Sequence, residues 1–258
     1  MHPVAFHIGS LPVHWFGVLV AAGFLAGFWT AARRARREGI SEEKIYDAGL
    51  WLILGAVVGA RSLYVASYWK EQFANAPWSE MLMIQKGGLV FYGGLIGATL
   101  SCLIFLRKNK LPVWKFADTL APSIALGSFF GRFGCLMNGC CFGRPTHAPW
   151  AIRFPHEHET AGDPVHPVQI YDSLLNIAFF AALVWLHRRK KFDGQIFAVY
   201  LMGYAVLRSV VEAFRGDYSV RYIGGIATPA QIVGIGIFLA GALLYARLPR
   251  PAATVKAG

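Results

Sequence analysis

Seven runs of about twenty predominantly apolar residues divide this chain, and no other feature constrains its fold as strongly. A helix that crosses the hydrocarbon core of a bilayer needs roughly 20 such residues. Runs 15–32, 88–106 and 229–246 contain no charge. Runs 47–69, 114–138, 168–187 and 195–215 are interrupted by Arg61, by Lys115, Asp118 and Arg132, by Asp172, and by Arg208 and Glu212. The 258 residues are 55% hydrophobic and only 15% charged, against about 25% charged in soluble domains. A water-soluble fold is excluded on that ground. Gly, Ala, Leu, Phe and Val fill the runs without period-2 alternation, which argues for helices over a β-barrel. The expected architecture is all-α: seven transmembrane helices forming one membrane domain over 1–258, with no internal repeat and no soluble-domain boundary.

Basic residues set the expected orientation. Clusters follow the first run (Arg33, Arg34, Arg36, Arg37), the third (Arg107, Lys108, Lys110, Lys115), the fifth (Arg188, Arg189, Lys190, Lys191) and the seventh (Arg247, Arg250, Lys256). With Lys44 they place sixteen of the 25 Lys and Arg on one side, which the positive-inside rule assigns to the cytoplasm. The N-terminus is then outside and the C-terminus cytoplasmic, and seven crossings satisfy that parity. Segments 70–87 and 139–167 fall outside, the second forming a small extracytoplasmic cap. No Lys or Arg precedes the first run, so 15–32 reads as a retained span and not a cleaved signal. The net charge of +11 invites a nucleic-acid reading. Its clusters abut helix ends and lack stacking aromatics, so anchoring to anionic lipid accounts for them.

Arg61, Arg132 and Arg208 interrupt three runs that cross in the same direction, and each lies in the outer half of its run. An arginine within a membrane span is costly. Three readings remain open: independent snorkelling to headgroups, a structural network with Glu212 and Asp172, or a site for an anion, for which a lipid phosphate is the obvious candidate. Guanidinium forks match phosphate oxygens in bidentate geometry. Glu212 and Arg215 follow Arg208 at i+4 and i+7 on one helical face.

Around Arg132 the chain reads Gly131-Arg132-Phe133-Gly134-Cys135-Leu136-Met137-Asn138-Gly139-Cys140-Cys141-Phe142-Gly143-Arg144-Pro145-Thr146. This segment resembles the signature of the bacterial prolipoprotein diacylglyceryl transferase family. His14-Trp15-Phe16-Gly17, residues 87–94, His166-Pro167-Val168-Gln169-Ile170-Tyr171 and residues 204–215 match in order, so the likeness covers nearly the whole chain. The resemblance implies an enzyme of the bacterial inner (plasma) membrane with its active site towards the outer leaflet. It would take phosphatidylglycerol, move the diacylglyceryl group onto the lipobox cysteine thiol of a lipoprotein precursor and release glycerol phosphate, without metal, nucleotide or redox cofactor. By the same resemblance Arg132 meets the lipid headgroup and Arg208 is essential. Arg61, Asn138, Gly143, Tyr204, Glu212, His166 and Gln169 fall at supporting substrate-binding positions.

The chain departs from the commonest family pattern at three places. Tyr92 stands where many members have His, Cys135 where many have Asn, and the acidic residue near Cys140 is missing. Tyr92 is a candidate catalytic hydrogen-bond donor to phosphate or thiol, or an interfacial belt tyrosine. Cys135, Cys140 and Cys141 read as inert buried thiols, as a disulfide from Cys135 to one of the other two, or as a metal site with His147, although C-x4-C-C is not a usual zinc spacing. Cys102 reads as a small core residue. His156, His158 and His166 superficially resemble a metal cluster, but two of them flank Glu157 in a polar loop, which favours solvated loop histidines. Two alternatives to the transferase are an anion transporter, which the missing repeat and the off-centre charges disfavour, and a catalytically inactive lipid-binding member.

Overall fold

The computed structural model describes residues 3–9, 11–74, 76–84, 87–216 and 227–249; the basic residues Arg250 and Lys256 lie outside them. Among the described residues, seven helices are long and apolar enough to cross a membrane: α1 (Trp15–Ala35), α2 (Glu42–Ser67), α3 (Phe91–Lys108), α4 (Val113–Asn138), α5 (Val168–His187), α6 (Gln195–Phe214) and α7 (Pro229–Arg247). Each falls on one of the seven apolar runs. The chain separates into two units, Met1–Ala31 with Ala117–Gly258, and Ala32–Phe116.

In the larger unit small residues and buried polar caps bring the helices together. Gly23 and Gly27 of α1 face Phe130 and Ser123 of α4, and Ser123 Oγ donates to the Gly27 carbonyl at 2.6 Å. Close backbone approach at small residues is how helices associate where both neighbours and lipid are apolar. Ala121, Ala125, Leu183, Ile196 and Tyr200 form a core between α4, α5 and α6. Asp118, fully buried, accepts from the backbone N–H groups of Gly194 and Phe197 at 2.8 and 2.9 Å. A carboxylate from α4 thus supplies the N-terminal cap that α6 lacks of its own. Thr228 and Gln231 close a capping box at the start of α7.

The smaller unit is built on one close helix pair. Gly55 and Gly59 of α2 meet Gly93 and Gly97 of α3, and a methyl at any of the four would overlap the facing helix. Ser101 Oγ donates to the Trp51 carbonyl at 2.6 Å across the same seam. Outward residues of both units stay apolar: Leu25 is 72% exposed, Leu100 55%, Leu239 61%. In water that surface would be prohibitive, and in lipid it is neutral.

Two differences from the sequence reading concern local structure. An antiparallel hairpin, β1 (Val4–Ile8) with β2 (Leu11–His14), precedes α1 and turns at Gly9 with φ 61°. Five- and four-residue strands carry too little pattern to stand out beside twenty-residue helices. The third span begins at Phe91 and not at 88, because Gly87 and Gly88 turn the chain at φ 82° and 77°. Tyr92 is therefore the second residue of α3, not a residue one turn inside it.

Candidate functional site

The signature segment leaves α4 through a turn that only glycine makes easily. Gly139 takes φ 75°, its N–H bonds the Leu136 carbonyl at 3.2 Å, and the Cys140 N–H bonds the Cys135 carbonyl at 3.1 Å. These two bonds make a Schellman cap. The following loop is then sewn to both neighbouring helices. Gly143 N–H donates to the His166 carbonyl (3.1 Å), Arg144 N–H to the Phe214 carbonyl (2.9 Å), and Gly216 N–H to the Phe142 carbonyl (3.1 Å). Short strands β3 (Ile152–Arg153) and β4 (Pro164–Val165) complete the cap segment. A Cβ on Gly143 would fall 2.5 Å from the His166 oxygen. Gly143 is required here for packing of the loop.

Arg132, one and a half turns before the end of α4, forms an ion pair through Nε with Asp172 Oδ2 of α5 at 2.6 Å. Asp172 Oδ1 accepts from Asn176 Nδ2 at 2.6 Å, which fixes the carboxylate. Arg208 of α6 pairs through Nη2 with Glu212 Oε2 one turn on, at 2.8 Å. Glu212 is only 2% exposed. Among the described residues, Arg208 Nη1 and both Glu212 oxygens are buried without a hydrogen bond, the Glu212 Oε2 contact to Arg208 being an ion pair only. Gln169 Nε2 donates to the Cys140 carbonyl at 2.7 Å, while its Oε1 is buried and unpartnered. Buried polar atoms are satisfied in the great majority of cases, so these orphaned atoms make Gln169, Arg208 and Glu212 candidates for contact with a polar ligand.

The other expected positions fall as follows. His166 Nδ1 lies 3.2 Å from the Tyr171 hydroxyl, and its ring meets Phe214 edge-on. Tyr204 stacks on Tyr200 at 6.0 Å. Asn138 ends α4, exposed, with its side chain bonded to the Cys140 thiol. Arg61 belongs to the smaller unit, and its guanidinium is spent on backbone: Nε donates to Met81 O (2.8 Å), Nη1 to Gly87 O and Gly88 O (2.8 and 3.1 Å), and Nη2 to Glu80 O (2.7 Å). Tyr64 and Phe73 flank it at 5.3 and 5.6 Å. It ties the backbone of Glu80, Met81, Gly87 and Gly88 to α2, a role that neither snorkelling nor anion binding anticipated. Tyr92 is 64% exposed, its ring edge-on to Phe91.

His158 is not a solvated loop histidine. It stacks on Phe154 at 4.4 Å, and its Nε2 and Nδ1 bond the Gly139 carbonyl (2.6 Å) and Thr160 Oγ1 (3.1 Å). No pattern in the sequence signals that contact, which joins residues nineteen apart in a loop. The four cysteines are free. Cys135, Cys140 and Cys141 nevertheless converge, with all three Sγ atoms within 4.8 Å of one another. His147 is not part of that group. Cys141 adopts φ 63°, a left-handed conformation that costs a non-glycine residue roughly 1–2 kcal/mol. Its thiol is pushed down to about 5 by the hydrogen bond from Cys135 and by the charges of Arg215 and Arg132, and Cys140 is pushed up by burial and by Cys141.

Seven membrane-length helices among the described residues, with two arginine–carboxylate pairs and a glycine-turned loop in the larger unit, define a multi-pass membrane protein with a partly buried cationic site. Within that class the chain belongs to the prolipoprotein diacylglyceryl transferase family, whose pattern matches residues 3–247. It is 38% identical over 245 residues to the phosphatidylglycerol–prolipoprotein diacylglyceryl transferase of Finegoldia magna, covering 95% of this chain and 94% of that protein. The enzymes of the same name from Synechococcus elongatus and Bordetella bronchiseptica are 34% and 35% identical. The first covers 93% of this chain and 86% of the relative, the second 96% of both.

Proposed function

We propose that this chain transfers the diacylglyceryl group of phosphatidylglycerol to the lipobox cysteine thiol of a lipoprotein precursor and releases glycerol phosphate. The observation that carries the reading is Arg208, whose buried guanidinium keeps Nη1 without a partner among the described residues while Glu212 holds Nη2. Leaving such a group unsatisfied costs about 1–3 kcal/mol or more, an expense that a departing phosphate offsets. Arg132, tethered among the described residues through Nε, keeps its two terminal amino groups for the same anion.

In the reaction the thiol sulfur attacks the glyceryl carbon. A C–S bond forms as the C–O bond to phosphate breaks, the electron pair leaves with glycerol phosphate, and the thiol proton passes to a base. Arg132 and Arg208 receive the developing phosphate charge, where exclusion of water makes that interaction strong. Glu212 orients Arg208, and Gln169, His166, Gly143, Asn138 and Tyr204 keep the loop and helix ends in place. Tyr92 is assigned a hydrogen bond to substrate from its family position. With the Lys- and Arg-rich connections in the cytoplasm, the N-terminus is outside and the C-terminus inside. The two arginines then lie in the outer half of the bacterial inner membrane, and the chain forms one membrane domain.

Purified protein in phosphatidylglycerol vesicles is mixed with a lipobox peptide. The peptide should gain the diacylglyceryl mass as glycerol phosphate appears. Arg208→Ala should abolish both while the protein still inserts and purifies, and Arg208→Lys should rescue little because an ammonium cannot make two parallel bonds. Wild-type transfer by Arg208→Ala, or ion flux without peptide labelling, overturns the reading.

A further inference from the structure

Three thiols converge at the end of α4, and the transfer chemistry uses none of them. Two are brought together by the Schellman cap itself, which sets the side chain at its start, Cys135, beside the one that follows it, Cys140. Cys140 Sγ lies 3.7 Å from the Cys135 carbonyl oxygen. The third is less easily placed, because neighbouring residues ordinarily point their side chains apart. Cys141 joins the group through its left-handed backbone, φ 63°. Strained conformations of this kind persist where the surroundings over-determine them and cluster at functional sites.

The surroundings are rigid. Gln169 holds the Cys140 carbonyl at 2.7 Å and His158 the Gly139 carbonyl at 2.6 Å, so both ends of the turn are pinned from other segments. A disulfide would use two of the thiols and leave the convergence of the third without a purpose. Sulfurs bound 2.3 Å from one metal ion stand about 4 Å apart, and the three Sγ atoms already lie within 4.8 Å of one another. Arg132 and Arg215 act electrostatically on this group, and two guanidinium groups offset the net negative charge of a trithiolate complex.

We propose that Cys135, Cys140 and Cys141 form a trithiolate site for a thiophilic d10 cation, Zn2+ or Cu+. The protons that the thiols still carry pass to solvent on binding, and with Zn2+ one coordination position stays open. Soft thiolate ligands select these ions over Mg2+ or Ca2+. This inference departs from the metal-free expectation that the family resemblance carried.

The test uses the full-length protein in detergent, reduced, stripped with chelator and titrated with Zn2+, with Cu+ under anaerobic conditions, and with Cd2+ as a spectroscopic probe. One equivalent should bind, with a thiolate-to-cadmium charge-transfer band in the ultraviolet. Removal of hydrogen-bond partners behind a metal ligand already costs 10–100-fold in affinity. Loss of a ligand in Cys140→Ser or Cys141→Ser should therefore weaken binding by roughly 100-fold or more, and Cys102→Ser should not change it. Retention of the Zn2+ or Cu+ affinity and the Cd2+ band by the triple Cys→Ser variant overturns the site, as does the absence of binding to wild type. So does protein isolated with two of the three cysteines joined by a disulfide that resists mild reduction. Peptide labelling, run in parallel on the same stripped and loaded samples, reports the transfer reaction separately, so a failure of one leaves the other standing.

Discussion

Replacing Arg132 by Ala should strand a buried carboxylate. Asp172 is 6% exposed, with Oδ2 facing Arg132 Nε at 2.6 Å and Oδ1 facing Asn176 Nδ2 at 2.6 Å. Without the guanidinium, a negative charge remains with one neutral amide. Breaking a fully buried pair costs about 3–5 kcal/mol. The Arg132 side chain is 26% exposed, so screening reduces the expected loss to about 2–3 kcal/mol. Asp172→Asn in the same background removes the stranded charge and keeps a partner for Asn176. The double variant should return to within about 1 kcal/mol of wild type. Transfer should not follow. Two charged hydrogen bonds to phosphate, at about 1.5–3 kcal/mol each, correspond to a rate loss of roughly 10²–10⁴-fold, which the second substitution cannot restore. Stability is read by denaturant unfolding in micelles at fixed lipid content, and transfer by glycerol phosphate release. An Arg132→Ala protein as stable as wild type refutes the pairing, and a double variant that regains transfer together with stability refutes the role at phosphate.

Tyr92→Phe removes one hydroxyl and leaves the ring, so turnover at saturating lipid should fall about ten- to a hundredfold; unchanged turnover makes Tyr92 a belt residue only. Gly143→Ala places a methyl 2.5 Å from the His166 oxygen and 2.6 Å from Val168 Cγ2, and thermal unfolding should report a loss of about 1–3 kcal/mol, with transfer falling as the loop leaves its register. In reduced, metal-free protein, iodoacetamide should label Cys141 at a rate that rises through about pH 5 and then levels off, since the thiolate is the nucleophile and the neighbouring thiol and arginines hold its pKa down to about 5. Cys140, whose pKa is raised, should react only in alkaline solution. Peptide mass spectrometry separates the two, and equal labelling at every pH removes the asymmetry.

Span number, helix type and family were legible in the sequence. The first two follow from a one-dimensional requirement: a segment in hydrocarbon must satisfy its own backbone and expose apolar side chains over a fixed length. The pairing of Arg208 with Glu212 was legible too, because i and i+4 face each other on any helix. Tertiary structure decided what became of three arginines that look alike in the sequence. Arg61 spends its guanidinium on the carbonyls of Glu80, Met81, Gly87 and Gly88, Arg132 finds Asp172 forty residues away, and Arg208 keeps one amino group unpartnered among the described residues. It also decided that His158 stacks on Phe154, and that Cys141 turns back towards Cys135 and Cys140. Hydrophobic run length is set by the solvent and needs no knowledge of neighbours. The partner of a buried polar group is set by whichever segment the packing brings within about 3 Å, and that distance exists only once the chain has folded.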